Sequence, residues 1–378
     1  MACVKLILVG GFLGAGKTTL LARAAERLSL RGLRVALITN DQATNLVDTE
    51  ALRRAGQEVK EVSGACFCCA FNKLLYTCDK LVSEYHPNVL IGEPVGSCTD
   101  LSATVLQPLK KYCADRYDHA PYSVLADPVR LGEEYSGDEE SDMPKSVRYI
   151  FRKQLQEADL IVLNKIDALR AEQVDRLRAV VAREFPGVPA MEMSALAGAG
   201  VDDWLDRMLS GGPAGRRIAE VDYDTYAEGE ALLGWLNATV RLRCDPPADW
   251  RAFCLRFLRR MQDEFRSTSA GIAHLKLLLT AGGEKLQANL TGTGAEPSVQ
   301  HTPRAANDAA RPTDALPVPS GEAAMIVNAR VRTGPEELRS VVERCLRAAG
   351  EGIAVEVTEI SSFSPARPKP VHRFGEVV

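Results

Sequence analysis

Apolar runs alternate with amphipathic stretches through the first half of the chain. Short apolar blocks at 4–9, 34–39, 59–62, 89–91, 122–126, 160–163 and 190–193 read as buried strands. Between them, 18–30, 71–85, 147–157 and 172–184 place apolar residues at helical spacing. This β-α alternation predicts a largely parallel sheet covered on both faces, an α/β fold whose ligands bind beyond the carboxyl ends of the strands. An acidic insert with six carboxylates between 133 and 142 reads as a solvated loop.

The pattern changes after Gly211-Gly212-Pro213. A strand at 236–243, a helix at 249–267, strands at 275–279 and 285–290, a strand at 324–331, a helix at 335–349 and a strand at 353–360 predict a smaller α+β domain. The expected division is therefore 1–210 and 211–378. Residues 291–320, with five prolines and no aromatic side chain, read as a loop or linker. The basic, proline-rich tail at 363–374 is expected to lie along its domain or in solvent, with client docking as the alternative.

Composition narrows the function. With 46 Lys+Arg against 50 Asp+Glu, the net charge of −4 gives nucleic acid or an anionic membrane no electrostatic attraction. The opening apolar stretch lacks a basic leader and runs through Gly10 and Gly11 to Lys17, so a cytoplasmic protein without a membrane span is expected. In that compartment ten cysteines are expected to be free thiols or metal ligands.

Gly11-Phe12-Leu13-Gly14-Ala15-Gly16-Lys17-Thr18 satisfies the P-loop pattern at every fixed position, between a predicted strand and a predicted helix. Such a loop turns successive N–H groups, those of Gly11, Gly14, Ala15 and Gly16 among them, toward phosphate oxygens. Lys17 is expected to reach the β- and γ-phosphates, Thr18 to ligate Mg²⁺ and Thr19 to meet the α-phosphate. Asn164-Lys165-Ile166-Asp167 follows a predicted strand and has the guanine-selecting N-K-x-D form. The Asp167 carboxylate can accept from both guanine N1–H and the 2-amino group, a pair adenine does not offer. Ser194-Ala195 after the next strand fits a second base-contacting loop, so GTP is the expected nucleotide. Cys66-Phe67-Cys68-Cys69 packs three thiols into four residues, a donor set for Zn²⁺ or another thiophilic ion with one coordination position left open.

In combination, these motifs resemble a CobW-type GTPase of the SIMIBI class, a relative of the urease and hydrogenase nickel-insertion GTPases. The resemblance covers the first 210 residues and extends to Gln154-Leu155-Gln156-Glu157-Ala158-Asp159 and to Gly200-Val201-Asp202-Asp203-Trp204-Leu205. It implies GTP hydrolysis coupled to carriage of zinc or cobalt on the C-x-C-C motif and delivery to a client metalloenzyme, with a homodimer plausible. GTP-driven loading or reactivation of a cobalamin enzyme, or a regulatory module that senses metal or redox state, stand as alternatives. Glu93-Pro94-Val95-Gly96 matches the family's E-x-x-G, which makes Glu93 the candidate for the Mg²⁺ shell or γ-phosphate sensing. Where relatives resemble N-E-x-G-E, this chain reads Asn40-Asp41-Gln42-Ala43-Thr44 and then Asp48, which leaves Asp41 to orient the attacking water or the metal. Ala65 replaces the glycine usual before the first cysteine. Five dispersed histidines give no sign of a second metal store. Cys98, five residues past Glu93, is expected to be a buried small residue, with approach to the nucleotide or the cysteine cluster as the alternative.

Overall fold

The computed structural model describes residues 3–41, 47, 52, 58–135, 143–268, 270–301 and 320–378. The chain divides into two compact units, of which the first comprises 1–42, 57–229 and 367–378 and the second 43–56 and 230–366. Residues 211–229 and the last twelve, which the sequence pattern groups with the second domain, thus pack within the first unit.

In the first unit the chain runs β1 (Val4–Gly11), α1 (Lys17–Leu30), β2 (Val35–Asp41), β3 (Glu58–Ser63), α2 (Phe71–Tyr85) and β4 (Val89–Glu93). A π-helical turn (Ser102–Leu106) then leads into α3 (Gln107–Cys113), followed by β5 (Tyr117–His119), β6 (Ser123–Ala126), α4 (Pro128–Tyr135), α5 (Lys145–Gln156) and β7 (Leu160–Leu163). After β7 come α6 (Ala171–Glu184), β8 (Ala190–Glu192) and α7 (Val201–Leu209). The strands form one parallel sheet in the order β3-β2-β4-β1-β6-β7-β8, with β5 paired to β1 off this path. Every residue of β4, β6 and β7 is buried, as strands covered on both faces require. Helices supply the cover. Leu20, Leu21, Ala24, Ala25 and Leu28 form the inward stripe of α1, and Phe71, Leu74, Cys78 and Leu81 that of α2.

One local expectation changes in this unit. Glu134, read as part of a solvated acidic run, lies in α4 with a fully buried carboxylate, because Arg148 and Arg152 on α5 both pair with it. Charges from another helix rather than water satisfy it. Residues 136–142 of that run lie outside the described residues.

At the end of α5, Glu157 is entirely buried and accepts from the Ser102 N–H (2.8 Å) and the Thr99 hydroxyl (3.2 Å). Burial pushes its carboxyl up to about 8 from an ordinary 4.5. Between those values the unfolded chain gives up this proton while the folded chain keeps it, so the group favours unfolding as pH rises. Stability should therefore fall from about pH 5 to 8 and level off above. Glu157→Gln, read by denaturant melts across that range, should flatten the decline.

The second unit holds β9 (Gly234–Ala248), α8 (Trp250–Arg266), β10 (Ile272–Ala281), β11 (Glu284–Leu290), β12 (Ser298–His301), β13 (Ser320–Val331), α9 (Pro335–Ala349) and β14 (Ala354–Phe363). Its sheet is antiparallel throughout, in the order β12-β11-β10-β13-β9-β14. Phe253, Phe257 and Met261 of α8 and Val342 and Leu346 of α9 pack with strand residues such as Leu277 and Val327 in one apolar core. Asp249 caps α8 by accepting from the Ala252 N–H at 2.9 Å. Part of the segment read as loop is strand: β12 pairs with β11 because Val299 turns into this core beside Leu286 and Ala288. Residues 302–319 lie outside the described residues.

Candidate functional site

The P-loop forms where β1 hands over to α1. Gly11 and Gly16 hold φ of 133° and 95°, and a Cβ at either would come within 2.5 Å of the Leu125 carbonyl oxygen or 2.4 Å of Asn164 Nδ2. Only glycine fits both the torsion and the space. Gly14 is also left-handed, at 80°, and the Ala15 N–H donates back to Phe12 O at 3.1 Å. Lys17 is buried, donates to Gly11 O at 2.8 Å and Phe12 O at 3.3 Å, and stands 4.0 Å from Glu93 Oε1. The Thr18 hydroxyl lies 3.0 and 3.1 Å from the two Glu93 carboxylate oxygens. Thr19 is half-buried in the first turn of α1. Glu93 closes β4, the strand paired with β1, which brings a carboxylate, an ammonium and a hydroxyl together at the helix N-terminus.

The N-K-x-D loop reaches the same place from β7. Asn164 is buried, donates to Ala15 O at 2.8 Å and accepts from the Ala195 N–H at 2.9 Å. One amide thus ties the phosphate loop, the base loop and the Ser194-Ala195 loop together. Lys165 adopts φ of 60° and pairs with Asp127 at 2.7 Å. Burial alone would raise the Asp127 carboxyl, but the charge and hydrogen bond of Lys165 together with the charge and backbone N–H of Arg130 hold it below its usual range. Asp167 is exposed in the turn Ile166–Ala168, open to a base. The Ser194 hydroxyl accepts from the Ala197 N–H at 3.0 Å and stabilises the second loop. Asp41 ends β2, while its side chain, Thr44 and Asp48 lie outside the described residues.

Cys66, Cys68 and Cys69 follow β3. Their sulfurs all lie within 4.8 Å of one another, with 3.0 Å between those of Cys66 and Cys68 and 3.8 Å between those of Cys68 and Cys69. Cys66 and Cys68 are buried and Cys69 half-buried. Hydrogen bonds from the Cys68, Cys69 and Cys98 thiols hold the Cys66 thiol well below its ordinary range. The bond to Cys66 pushes Cys68 up and Cys69 up to about 11. Of the three sulfurs, Cys66 is thus the one held toward its anionic form, braced by neighbouring thiols. Asn40 shapes the loop: its amide donates to Val62 O at 2.7 Å and Ala65 O at 2.8 Å and accepts from the Phe67 N–H at 2.8 Å.

Asn40 is a contributor beyond the sequence expectation, while Cys98 is both buried and beside the cluster. A polar residue near the end of the apolar strand β2 was the available signal for Asn40, and closeness to Glu93 in sequence was that for Cys98. Gln154 adds a further brace, donating to Gly96 O at 2.9 Å and Cys98 O at 2.8 Å behind the Glu93 loop. Strand order sets the remaining geometry, since the loops after β3, β2, β4 and β1 emerge side by side at one sheet edge. At ordinary strand spacing the cysteine loop stands about 10 Å from the end of β4 and about 14 Å from that of β1.

A glycine-rich phosphate loop between β1 and α1 of a parallel sheet, with N-K-x-D following β7 two strands along, defines a P-loop GTPase fold. Residues 5–191 match the CobW/HypB/UreG nucleotide-binding domain, and the chain belongs to this family. It is 29% identical over 216 residues to the zinc chaperone CobW of Pseudomonas aeruginosa, covering 49% of this chain and 55% of that protein. To the urease accessory protein UreG of Mycolicibacterium gilvum it is 30% identical over 219 residues, 55% of this chain and 94% of that one. Among solved structures, HypB from Helicobacter pylori in complex with nickel is similar over 55% of this chain and 86% of its own, at 19% identity and a TM-score of 0.39. The chain spans about half the length of the curated CobW relatives it matches. Among the described residues no helix is long and apolar enough to cross a membrane.

Proposed function

We propose that this protein is a GTP-hydrolysing metallochaperone of the cytoplasm, which carries a thiophilic divalent ion, zinc before cobalt, on Cys66, Cys68 and Cys69 and delivers it to a client metalloenzyme. The observation that carries this reading is the closeness of three sulfurs at the sheet edge that also bears the phosphate loop. Names of relatives such as the zinc chaperones CobW and YeiR support zinc as the cargo.

In this reading Asp167 accepts the two guanine donors, and Asn164 keeps the base loop in register with the phosphate loop. Lys17 turns its ammonium from the Gly11 and Phe12 carbonyls to the phosphates and stabilises the charge that develops on the transferring group. Thr18 and Glu93 supply the hard oxygen donors that suit Mg²⁺, which when bound neutralises phosphate charge. Asp41 orients the attacking water. Cys66, already held toward the thiolate, takes the incoming ion first, and Cys68 and Cys69 follow as they lose protons. Loss of the γ-phosphate frees Glu93 and the loops beside it, and the cargo is released.

Metal and nucleotide must then be coupled. Replacing a non-hydrolysable GTP analogue by GDP should change Zn²⁺ affinity about 5- to 150-fold, the usual range for allosteric coupling. A chelating dye competing for the ion in both nucleotide states measures this. Equal affinities in the two states would reject a nucleotide-driven carrier.

A further inference from the structure

In the sequence Arg367-Pro368-Lys369-Pro370-Val371, two prolines lack N–H groups. Lys369 and Val371 are the remaining backbone donors from 368 to 371, and both are spent on the cysteine loop. The Lys369 N–H donates to Cys69 Sγ at 3.2 Å, and the Val371 N–H to Cys68 O at 3.0 Å. The next residues fasten this contact. The His372 ring packs edge-on against Phe71, the first residue of α2, with centroids 5.1 Å apart, and lies 5.5 Å from the Tyr112 ring. Arg373 Nε donates to Asp100 Oδ2 at 2.7 Å, and its guanidinium also donates to Ala219 O. The Asp100 side chain is 1% exposed, holds φ of 65° and accepts from the Tyr223 hydroxyl at 2.7 Å as well. A buried carboxylate in a strained backbone position needs this cation, so the anchor is specific rather than incidental. The Phe374 N–H donates to Ala103 O at 3.0 Å and completes the attachment.

We infer that residues 367–378 are a strap belonging to the cysteine site, with the Lys369 N–H a positioning donor to the Cys69 sulfur and the Arg373–Asp100 pair the anchor. The inference rests on the cargo reading above in one respect, that Cys69 ligates the ion. An N–H aimed at a ligand sulfur fixes its orientation and favours its anionic, metal-binding form, the part that groups around metal ligands ordinarily play. Laid over Cys69, the strap also limits access of solvent and competing thiols. Transfer to a client then requires that it lift.

The test uses the full chain. Lys369→Pro deletes the donor and Lys369→Ala retains it, so the pair separates the backbone N–H from the side chain. Arg373→Ala loosens the anchor without touching the cysteines. Iodoacetamide labelling of metal-free protein, read by peptide mass at Cys69 and expressed per thiolate from its pH dependence, should be several-fold faster in Lys369→Pro and Arg373→Ala than in the native chain, and native-like in Lys369→Ala. With Co²⁺ as the probe and its thiolate charge-transfer band as the signal, Lys369→Pro should bind about tenfold more weakly, the low end for one hydrogen bond to a charged acceptor. Lys369→Ala should restore native affinity. GTP binding and melting temperature confirm that each variant is folded. Native labelling rates in both loosened variants would overturn the strap, and equal Co²⁺ affinity of Lys369→Pro and Lys369→Ala would overturn the donor role. Absence of Co²⁺ binding by the native chain, with faster labelling of the loosened variants, would reject the cargo reading and leave the strap standing.

Discussion

Lys17→Ala should lower single-turnover GTP hydrolysis by about two to three orders of magnitude, because catalysis in this class rests on fixed charge aimed at the transferring phosphoryl group. The side chain is placed for that task by burial, by its bonds to Gly11 and Phe12 carbonyls and by the carboxylate of Glu93 opposite. Removal takes one donor from the Gly11 and Phe12 carbonyls, the latter keeping the Ala15 N–H, and takes a nearby cation from Glu93, which should cost about 1–3 kcal/mol of stability. Single-turnover assays at saturating nucleotide and Mg²⁺ separate the chemical step from binding, and a thermal melt reports the fold. A native rate in a folded variant would exclude Lys17 from the reaction.

Replacing Cys66, Cys68 and Cys69 together by serine should abolish the tight thiophilic site. The native chain is expected to bind one Zn²⁺ and the variant none under the same chelator competition. Hydroxyls stay protonated at neutral pH and are poor donors to a soft ion, while their size nearly matches a thiol. Native affinity should also climb with pH. Cys68 is raised and Cys69 stands at about 11, so at neutral pH both hold protons that the ion must displace, whereas Cys66 is already lowered. Two displaced protons correspond to as much as about a hundredfold gain in affinity per pH unit. An affinity independent of pH would mean that sulfurs are not the ligands.

How much of this was legible before the structure depends on where each constraint resides. The phosphate loop was legible because glycine torsion, lysine charge and threonine hydroxyl are demanded within eight consecutive positions. The cysteine cluster was legible as a donor set for the same reason. The Asn164 brace was not, since the spacing of N-K-x-D does not reveal that the amide is spent on Ala15 and Ala195, one far upstream and one beyond the next strand. Glu134 looked solvated because its neighbours in sequence are acidic, and its cations arrive from a later helix. β12 was missed because four residues with one inward aliphatic, Val299, carry almost no periodic signal, and β11 supplies the missing pairing. The tail is plainly basic and proline-rich in the sequence. Its destination, however, lies about 300 positions away at Cys69, beyond the reach of local pattern.

Asn164 also bears on how such a protein can change over generations. A carboxylate there would repel the Ala15 carbonyl, a larger amide would press on Gly16, and a hydrophobe would leave the Ala195 N–H without its acceptor. No single replacement satisfies all three loops. Gly16, Asn164 and the residues around Ala195 should therefore be inherited as a block, and a redesign of base preference that begins at Asn164 would disable the phosphate loop before it altered the purine. Asp167 is exposed and outside that web, so on the proposed reading it is the position at which selectivity is free to drift.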